Sequence, residues 1–225
     1  MLPLTTAAVR DRTEMIINTQ GMDLLYQGFK STFRDSYDKT PSDYGKIAMT
    51  IPSQTRDETY GWIRHWPNMR EWVGPRVVQN LGAANFKIRN LDFELTVGVP
   101  RNDIADDQYG VYGPMMAQLG AAAKQHPDEV IFGLLATAFA AECYDGQPFF
   151  DADHPVVDAA GATVSVSNTG GGSGTPWMLF DTSRAVRPII WQERETYAFV
   201  KKDQPGDDNV FFEKEFIYGV NARVN

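Results

Sequence analysis

Between Phe86 and Val97 the chain alternates apolar and polar residues, first through Phe86-Lys87-Ile88-Arg89-Asn90-Leu91 and again through Phe93-Glu94-Leu95-Thr96-Val97. A period of two belongs to a strand whose one face packs while the other meets water or a partner. Upstream lie Tyr60-Gly61-Trp62-Ile63-Arg64-His65-Trp66-Pro67 and Arg70-Glu71-Trp72-Val73-Gly74. With the short strand Lys46–Ile51, stopped by Pro52, region 46–100 therefore reads as β, dominated by a long two-stranded excursion. A lone hairpin is marginal in water, so such an excursion needs a neighbour to rest on. Arg64, Arg70, Arg76, Lys87 and Arg89 all fall on it beside Trp62, Trp66 and Trp72. Three uses fit: a protein–protein contact, a solvated strand face, or a nucleic-acid face. Arginine with large aromatics is the composition of interface hot spots, which puts the first reading ahead.

The rest of the chain reads as a mixture of helix and strand. Thr5 to about Ser36 is helical, with Met15, Ile16, Leu24, Leu25, Phe29 and Phe33 near the 3.6-residue period and Gly21 expected to split or kink it. It has no evident partner nearby in the chain and could be an arm that docks on something else. A second helix is expected from Asp106, whose carboxylate and that of Asp107 suit the positive end of a helix, to about Gln125. A third is expected from Pro127 to about Ala141, with proline at its first position and Asp128 and Glu129 behind it. Short strands follow at 163–167, 177–180 and 188–191, and more β character at 197–200 and 209–218.

Composition excludes several classes. The 225 residues are 43% hydrophobic and 22% charged, globular values that rule out a disordered chain. One cysteine, Cys143, rules out an internal disulfide framework or a cysteine-rich zinc site and fits a reducing compartment. No run approaches the ~18 apolar residues of a membrane span. The formal charge of −8 opposes whole-surface attraction to nucleic acid. With 27 aromatics (13 Phe, 9 Tyr, 5 Trp) against 3 histidines, the chain leans towards packing and assembly over catalysis.

The one cluster with catalytic character is Asp145, Asp151, Asp153 and His154, carboxylates and an imidazole within ten residues that suit a divalent cation or a general acid–base pair. Its bland reading is a capped loop, since Asp145-Gly146 is turn chemistry and Asp-x-Asp-His-Pro satisfies its own amides. Cys143 with His154 or His126 has the residue types of a nucleophile and base, but at the end of an apolar helix it reads as a small core residue. Gly170–Gly174 lacks the Lys-Ser/Thr of a phosphate loop. No cofactor is implied.

One set of motifs is specific in combination: Tyr60-Gly61-Trp62, Arg70-Glu71-Trp72-Val73-Gly74, Asn90-x-x-Phe93-Glu94-x-Thr96-Val97, Arg101-Asn102-Asp103-Ile104-x-Asp106-Asp107, His126-Pro127-Asp128-Glu129, Tyr144-Asp145-Gly146-Gln147-x-Phe149-Phe150-Asp151-x-x-His154-Pro155 and Asp181-x-Ser183-Arg184-Ala185-Val186-x-Pro188. In this order, from about Tyr44 to the C-terminus, the chain resembles the Mu-like phage major head subunit T family. The resemblance implies an α+β tailed-phage capsid fold of the Hong Kong 97 type. That fold has an N-terminal arm (1–45), an extended β-hairpin loop with flanking strands (46–100), and a peripheral domain with a long spine helix and part of an axial domain (101–225). It implies a major capsid protein, not an enzyme, that self-assembles into hexamers and pentamers of an icosahedral shell around dsDNA. Scaffold, portal and decoration proteins are the implied further partners, with no membrane, and the virion is the implied location after assembly in the host cytoplasm. Arg64, Trp66, Arg70, Trp72, Arg76, Lys87 and Arg89 become the intersubunit contact candidates. The family's pattern continues past Tyr218-Gly219-Val220-Asn221-Ala222-Arg223, so part of the axial domain is expected to lie outside this chain. The alternative from another class is a metal-dependent hydrolase using Asp145, Asp151, Asp153 and His154.

Overall fold

The computed structural model describes residues 19–63, 73–74, 83–106, 109–158, 162–184 and 186–225. Its helices are α1 (Thr19–Lys39), α2 (Arg101–Ala105) and α3 (Tyr109–Ala136). Its strands are β1 (Ala48–Pro52), β2 (Asp57–Ile63), β3 (Ala83–Arg89), β4 (Leu91–Pro100), β5 (His154–Val157), β6 (Thr163–Val166), β7 (Ile189–Lys202) and β8 (Glu215–Val224). A four-stranded sheet has the order β1-β7-β8-β4, and β2-β3 and β5-β6 form two-stranded sheets. No described helix is long and apolar enough to cross a membrane.

The chain divides into two compact units, each built from three separated stretches: Met1–Thr40, Glu94–Lys124 and Tyr197–Asn221 in the first, and Pro41–Phe93, Gln125–Thr196 and Ala222–Asn225 in the second. In the first unit, α1 presents Met22, Phe29 and Phe33 at helical spacing, all buried. They meet Phe199 and Tyr218 of the long strands in a ring cluster, with Phe33–Phe199 centroids at 5.0 Å and Phe29–Tyr218 edge-on at 5.2 Å. Each such side chain contributes about 1.5–3 kcal/mol by leaving water. This helix, which has no evident partner nearby in sequence, thus packs within its own chain. Its partner lies some 160–200 residues away in sequence, beyond the reach of local periodicity. Gly21 sits within α1 and does not break it.

Tyr112, Met116, Leu119 and Ala123 carry the same core along α3. Ser36 Oγ donates to the Ala117 carbonyl at 2.6 Å, and the helices approach closely at Gly120, where a Cβ would lie 2.3 Å from the Phe33 carbonyl oxygen.

The two helices expected on either side of Pro127 are one helix, Tyr109–Ala136. Proline inside a helix removes one hydrogen bond at a cost of about 3 kcal/mol, yet Pro127 is buried and the helix continues. Asp128, read as a helix-start acid, does other work. Its Oδ1 accepts the backbone N–H groups of Asp43, at 2.9 Å, and Tyr44, which pins the short 3-10 turn Tyr44–Lys46 ahead of β1. That turn and the part of α3 from Gln125 onward both belong to the second unit. There Trp191 is fully buried, with Tyr44 and His126 as ring neighbours.

Candidate functional site

The β2–β3 hairpin pairs Asp57 with Arg89, Thr59 with Lys87 and Tyr60 with Phe86 in antiparallel register. Directly opposed residues share a face, so Tyr60, Phe86, Glu58 and Ile88 lie on one side and Asp57, Arg89, Thr59 and Lys87 on the other. Tyr60, Phe86 and Ile88 line an apolar cavity of about 190 Å³ with Leu134, Leu135 and Ile189. The other side presents Lys87, whose side chain is 64% exposed, and exposed Arg89; Lys87 Nζ reaches Asp57 Oδ2 at 3.3 Å. Of the expected contact residues, Lys87 and Arg89 are thus on the outward face, while Arg64, Trp66, Arg70, Trp72 and Arg76 lie outside the described residues.

The root of the hairpin is held by a buried polar network that the sequence reading did not identify. Gln192 Nε2 donates to Asn90 Oδ1 at 2.8 Å, and Tyr60 Oη donates to Gln192 Oε1 at 2.8 Å. Asn90 Nδ2 donates to Ser53 Oγ and to the Thr55 carbonyl, both at 2.8 Å. Gln192 is fully buried and Asn90 nearly so, and buried amides keep their place only when paired. One mark in the sequence pointed here, a glutamine closing the apolar run Ile189-Ile190-Trp191. Beside the network Glu58 Oε1 accepts the backbone N–H of Gln54 (2.8 Å) and of Thr55 (2.9 Å) and the Ser53 hydroxyl (3.0 Å). Those donors, the backbone of Thr55 foremost, pull its carboxyl down to about 2. The hairpin thus leaves the body from a fixed root.

The acidic loop takes a different form from the four-residue site expected. Asp145-Gly146 makes the turn its composition suggests, with Gly146 at φ +82°, and the Cys143 N–H donates to the Gln147 carbonyl at 2.7 Å. Cys143 Sγ donates to Asp145 Oδ1 at 3.0 Å and His154 Nδ1 lies 2.7 Å from Asp145 Oδ2. Burial first, and then the bond to Asp145, pushes the thiol up to about 11. Burial also pushes the Asp145 carboxyl up, but the bonds from Cys143, His154 and the Gln147 N–H outweigh it and hold it below its ordinary value.

Asp151 and Asp153 do not join this group. Asp151 Oδ1 accepts the Asp153 N–H at 2.9 Å in a local turn, and Asp153 is exposed. Asn168 straps the same loop, donating to the Phe149 carbonyl and accepting the Asp151 N–H. The hydrolase expectation is therefore corrected. Its carboxylates are separated into a turn and a clamp, and a protonated thiol stands where a second carboxylate was expected.

The sequence matches the family described as Mu-like prophage major head subunit gpT over residues 22–225. It is 42% identical over 215 residues to the major capsid protein of Escherichia phage Mu, which covers 93% of this chain and 70% of that protein. The structure is similar to the procapsid protein of bacteriophage JBD30, with a TM-score of 0.79 and 44% identity over 93% of this chain and 72% of that one. It also matches the JBD30 capsid decorated with minor capsid protein trimers, at a TM-score of 0.59 and 35% identity, covering 93% and 68%.

Proposed function

The chain belongs to the Mu-like prophage major head subunit gpT family, and we propose from that premise that it is a major capsid protein of the Hong Kong 97-type fold. Its role is structural and not enzymatic. The observation that carries this is the agreement with a procapsid subunit at a TM-score of 0.79 across 93% of the chain.

Copies assemble into hexamers and pentamers of an icosahedral shell, built in the host cytoplasm and enclosing dsDNA against the inner face. Scaffold and portal proteins take part, and a minor capsid protein decorates the shell as it does the JBD30 capsid. The arm is assigned to 1–45, the extended loop to 46–100 and the spine helix with the peripheral and partial axial domains to 101–225. The fixed root and outward cationic face of β2–β3 support the reading that Lys87 and Arg89, with Arg64, Trp66, Arg70, Trp72 and Arg76 beyond them, meet a neighbouring subunit. So do Trp177 and Leu179, 98% and 96% exposed, and the exposed pair Phe211 and Phe212, since large apolar side chains left in water mark docking surfaces.

Negative-stain microscopy of the full-length product, expressed alone and with the scaffold, tests the function. Shells or capsomers are expected. A protein that stays monomeric under both conditions sinks the reading.

A further inference from the structure

The clamp between the turn at 143–147 and β5 has the donor set of a metal centre. Cys143 Sγ, a carboxylate oxygen of Asp145 and an imidazole nitrogen of His154 all lie within 4.8 Å of one another. The side chains of Asp145 and His154 are only 4% and 12% exposed, so the group is inside the fold. The sequence positions it by turn chemistry. The Asp145-Gly146 turn sets Cys143 and Asp145 side by side, and β5 begins on His154.

From this geometry we infer that Cys143, Asp145 and His154 form a zinc-binding site of three protein ligands, with the fourth ligand a water.

The separations of 3.0 Å from sulfur to oxygen and 2.7 Å from nitrogen to oxygen are those of contacts bridged by protons. Metal–ligand bonds of about 2.0–2.3 Å at tetrahedral angles hold ligands about 3.3–3.8 Å apart, so a small outward shift admits the ion. A sulfur, nitrogen and oxygen set suits borderline zinc, whereas magnesium and calcium take all-oxygen shells. The protons have defined destinations. Zinc binding breaks the Cys143 S–H bond and forms a Zn–S bond, sending one proton to solvent. The proton on His154 Nδ1 moves to Nε2, a buried nitrogen with no hydrogen-bond partner among the described residues. Cys143 also lines the apolar cavity, which leaves room for the water ligand. Zinc here would tie the turn at 143–147 to β5 and stiffen the loop between them.

The chain has one cysteine, so every thiol measurement reads this site alone. The experiment uses the 225-residue protein with Zn²⁺, Co²⁺ or Mg²⁺ as the probe. Co²⁺ should bind at one equivalent with a thiolate-to-cobalt charge-transfer band, and Zn²⁺ should displace it. Iodoacetamide alkylation of Cys143 should slow at least tenfold in Zn²⁺ and not at all in Mg²⁺. Because one proton leaves per ion, affinity should rise about tenfold per pH unit below the thiol's own titration. Cys143→Ser should abolish the band, His154→Ala and Asp145→Asn should weaken binding at least tenfold, and Asp153→Asn should leave it unchanged. An alkylation rate in the wild-type protein indifferent to Zn²⁺, or cobalt bound without the band, overturns the inference. That readout needs no variant to fold, and it is independent of whether the protein assembles.

Discussion

Gly120 shows how one absent methyl fixes a crossing of helices. A Cβ there would stand 2.3 Å from the backbone oxygen of Phe33, an atom that cannot swing away as a side chain can. Gly120→Ala should therefore destabilise the protein by about 1–3 kcal/mol, the range for forcing a methyl into a packed site. Gly133 lies in the same helix with nothing near its absent Cβ. Gly133→Ala should stabilise by about 0.5–1 kcal/mol, since only the backbone entropy of glycine is at stake. Urea unfolding of the two variants measures both, and equal effects would refute the close-approach account.

Glu58 offers a second residue-scale test. Its carboxyl is depressed to about 2, so its bonds to Gln54, Thr55 and Ser53 contribute stability that is complete above its ordinary value near 4.5. That contribution is lost as the pH falls from about 4.5 towards 2. Glu58→Gln should flatten this part of the dependence of thermal midpoint on pH. A variant whose curve parallels the wild type throughout that window would show that the bonds carry no linkage.

At the scale of elements, what holds the β2–β3 root is polar. Removing Asn90 leaves Gln192 Nε2 without its acceptor inside a dry site, and a buried group left unpaired costs about 1–3 kcal/mol. Asn90→Ala should lower unfolding free energy by that amount and speed amide exchange along β2 and β3 more than in unit one. Uniform exchange would mean that the network does not anchor the hairpin in particular. The hairpin itself was legible, because a period of two writes its face assignment into the sequence. It even separates Tyr60 and Phe86 from Lys87 and Arg89, which a reading by composition alone blends into one surface. The network was not legible, since Asn90 and Gln192 meet across 102 positions.

Helix α3 was half legible. Its apolar stripe was evident, but Pro127 and Asp128 carry the local marks of a helix start, and only tertiary burial explains why the helix runs through them. The pairing of Cys143 with His154, weighed in sequence as a nucleophile and base and set aside for a core cysteine, was only half legible for a related reason. Asp145-Gly146 announces a turn, but which side chains that turn brings together depends on the strap from Asn168 and on where β5 begins. Family resemblance supplied what periodicity lacked, because ordered motifs record a whole fold while any one window records a single element.

For the whole molecule, the decisive property is that a shell multiplies small contacts. In the proposed hexamers and pentamers each subunit repeats the same contact around a closed ring, so a change of about 1.4 kcal/mol in one contact alters its equilibrium tenfold, and a closed ring compounds it. Lys87 and Arg89 are suited to that role because they can be changed without touching the core. Both are exposed on the outward face, and the Lys87–Asp57 pair lies in solvent, where such pairs are worth about 0–1 kcal/mol. The double variant Lys87→Glu with Arg89→Glu should therefore fold with unchanged circular dichroism and a stability within about 0.5–1 kcal/mol of wild type, yet fail to form shells. If Lys87 and Arg89 meet a neighbouring subunit as proposed, reversing two charges turns an attraction at every copy of the contact into a repulsion. Arg70→Glu and Trp72→Ala, tested in parallel, extend the question to the stretch between β2 and β3. Electron microscopy and sedimentation on the same preparations separate the outcomes. Normal shells from the double variant remove Lys87 and Arg89 from the interface, whereas loss of the circular dichroism signal assigns them to the fold. Salt discriminates further: if the contact is electrostatic, wild-type assembly should weaken as ionic strength rises and the Debye length falls below about 8 Å, whereas a contact carried by aromatic burial should hold.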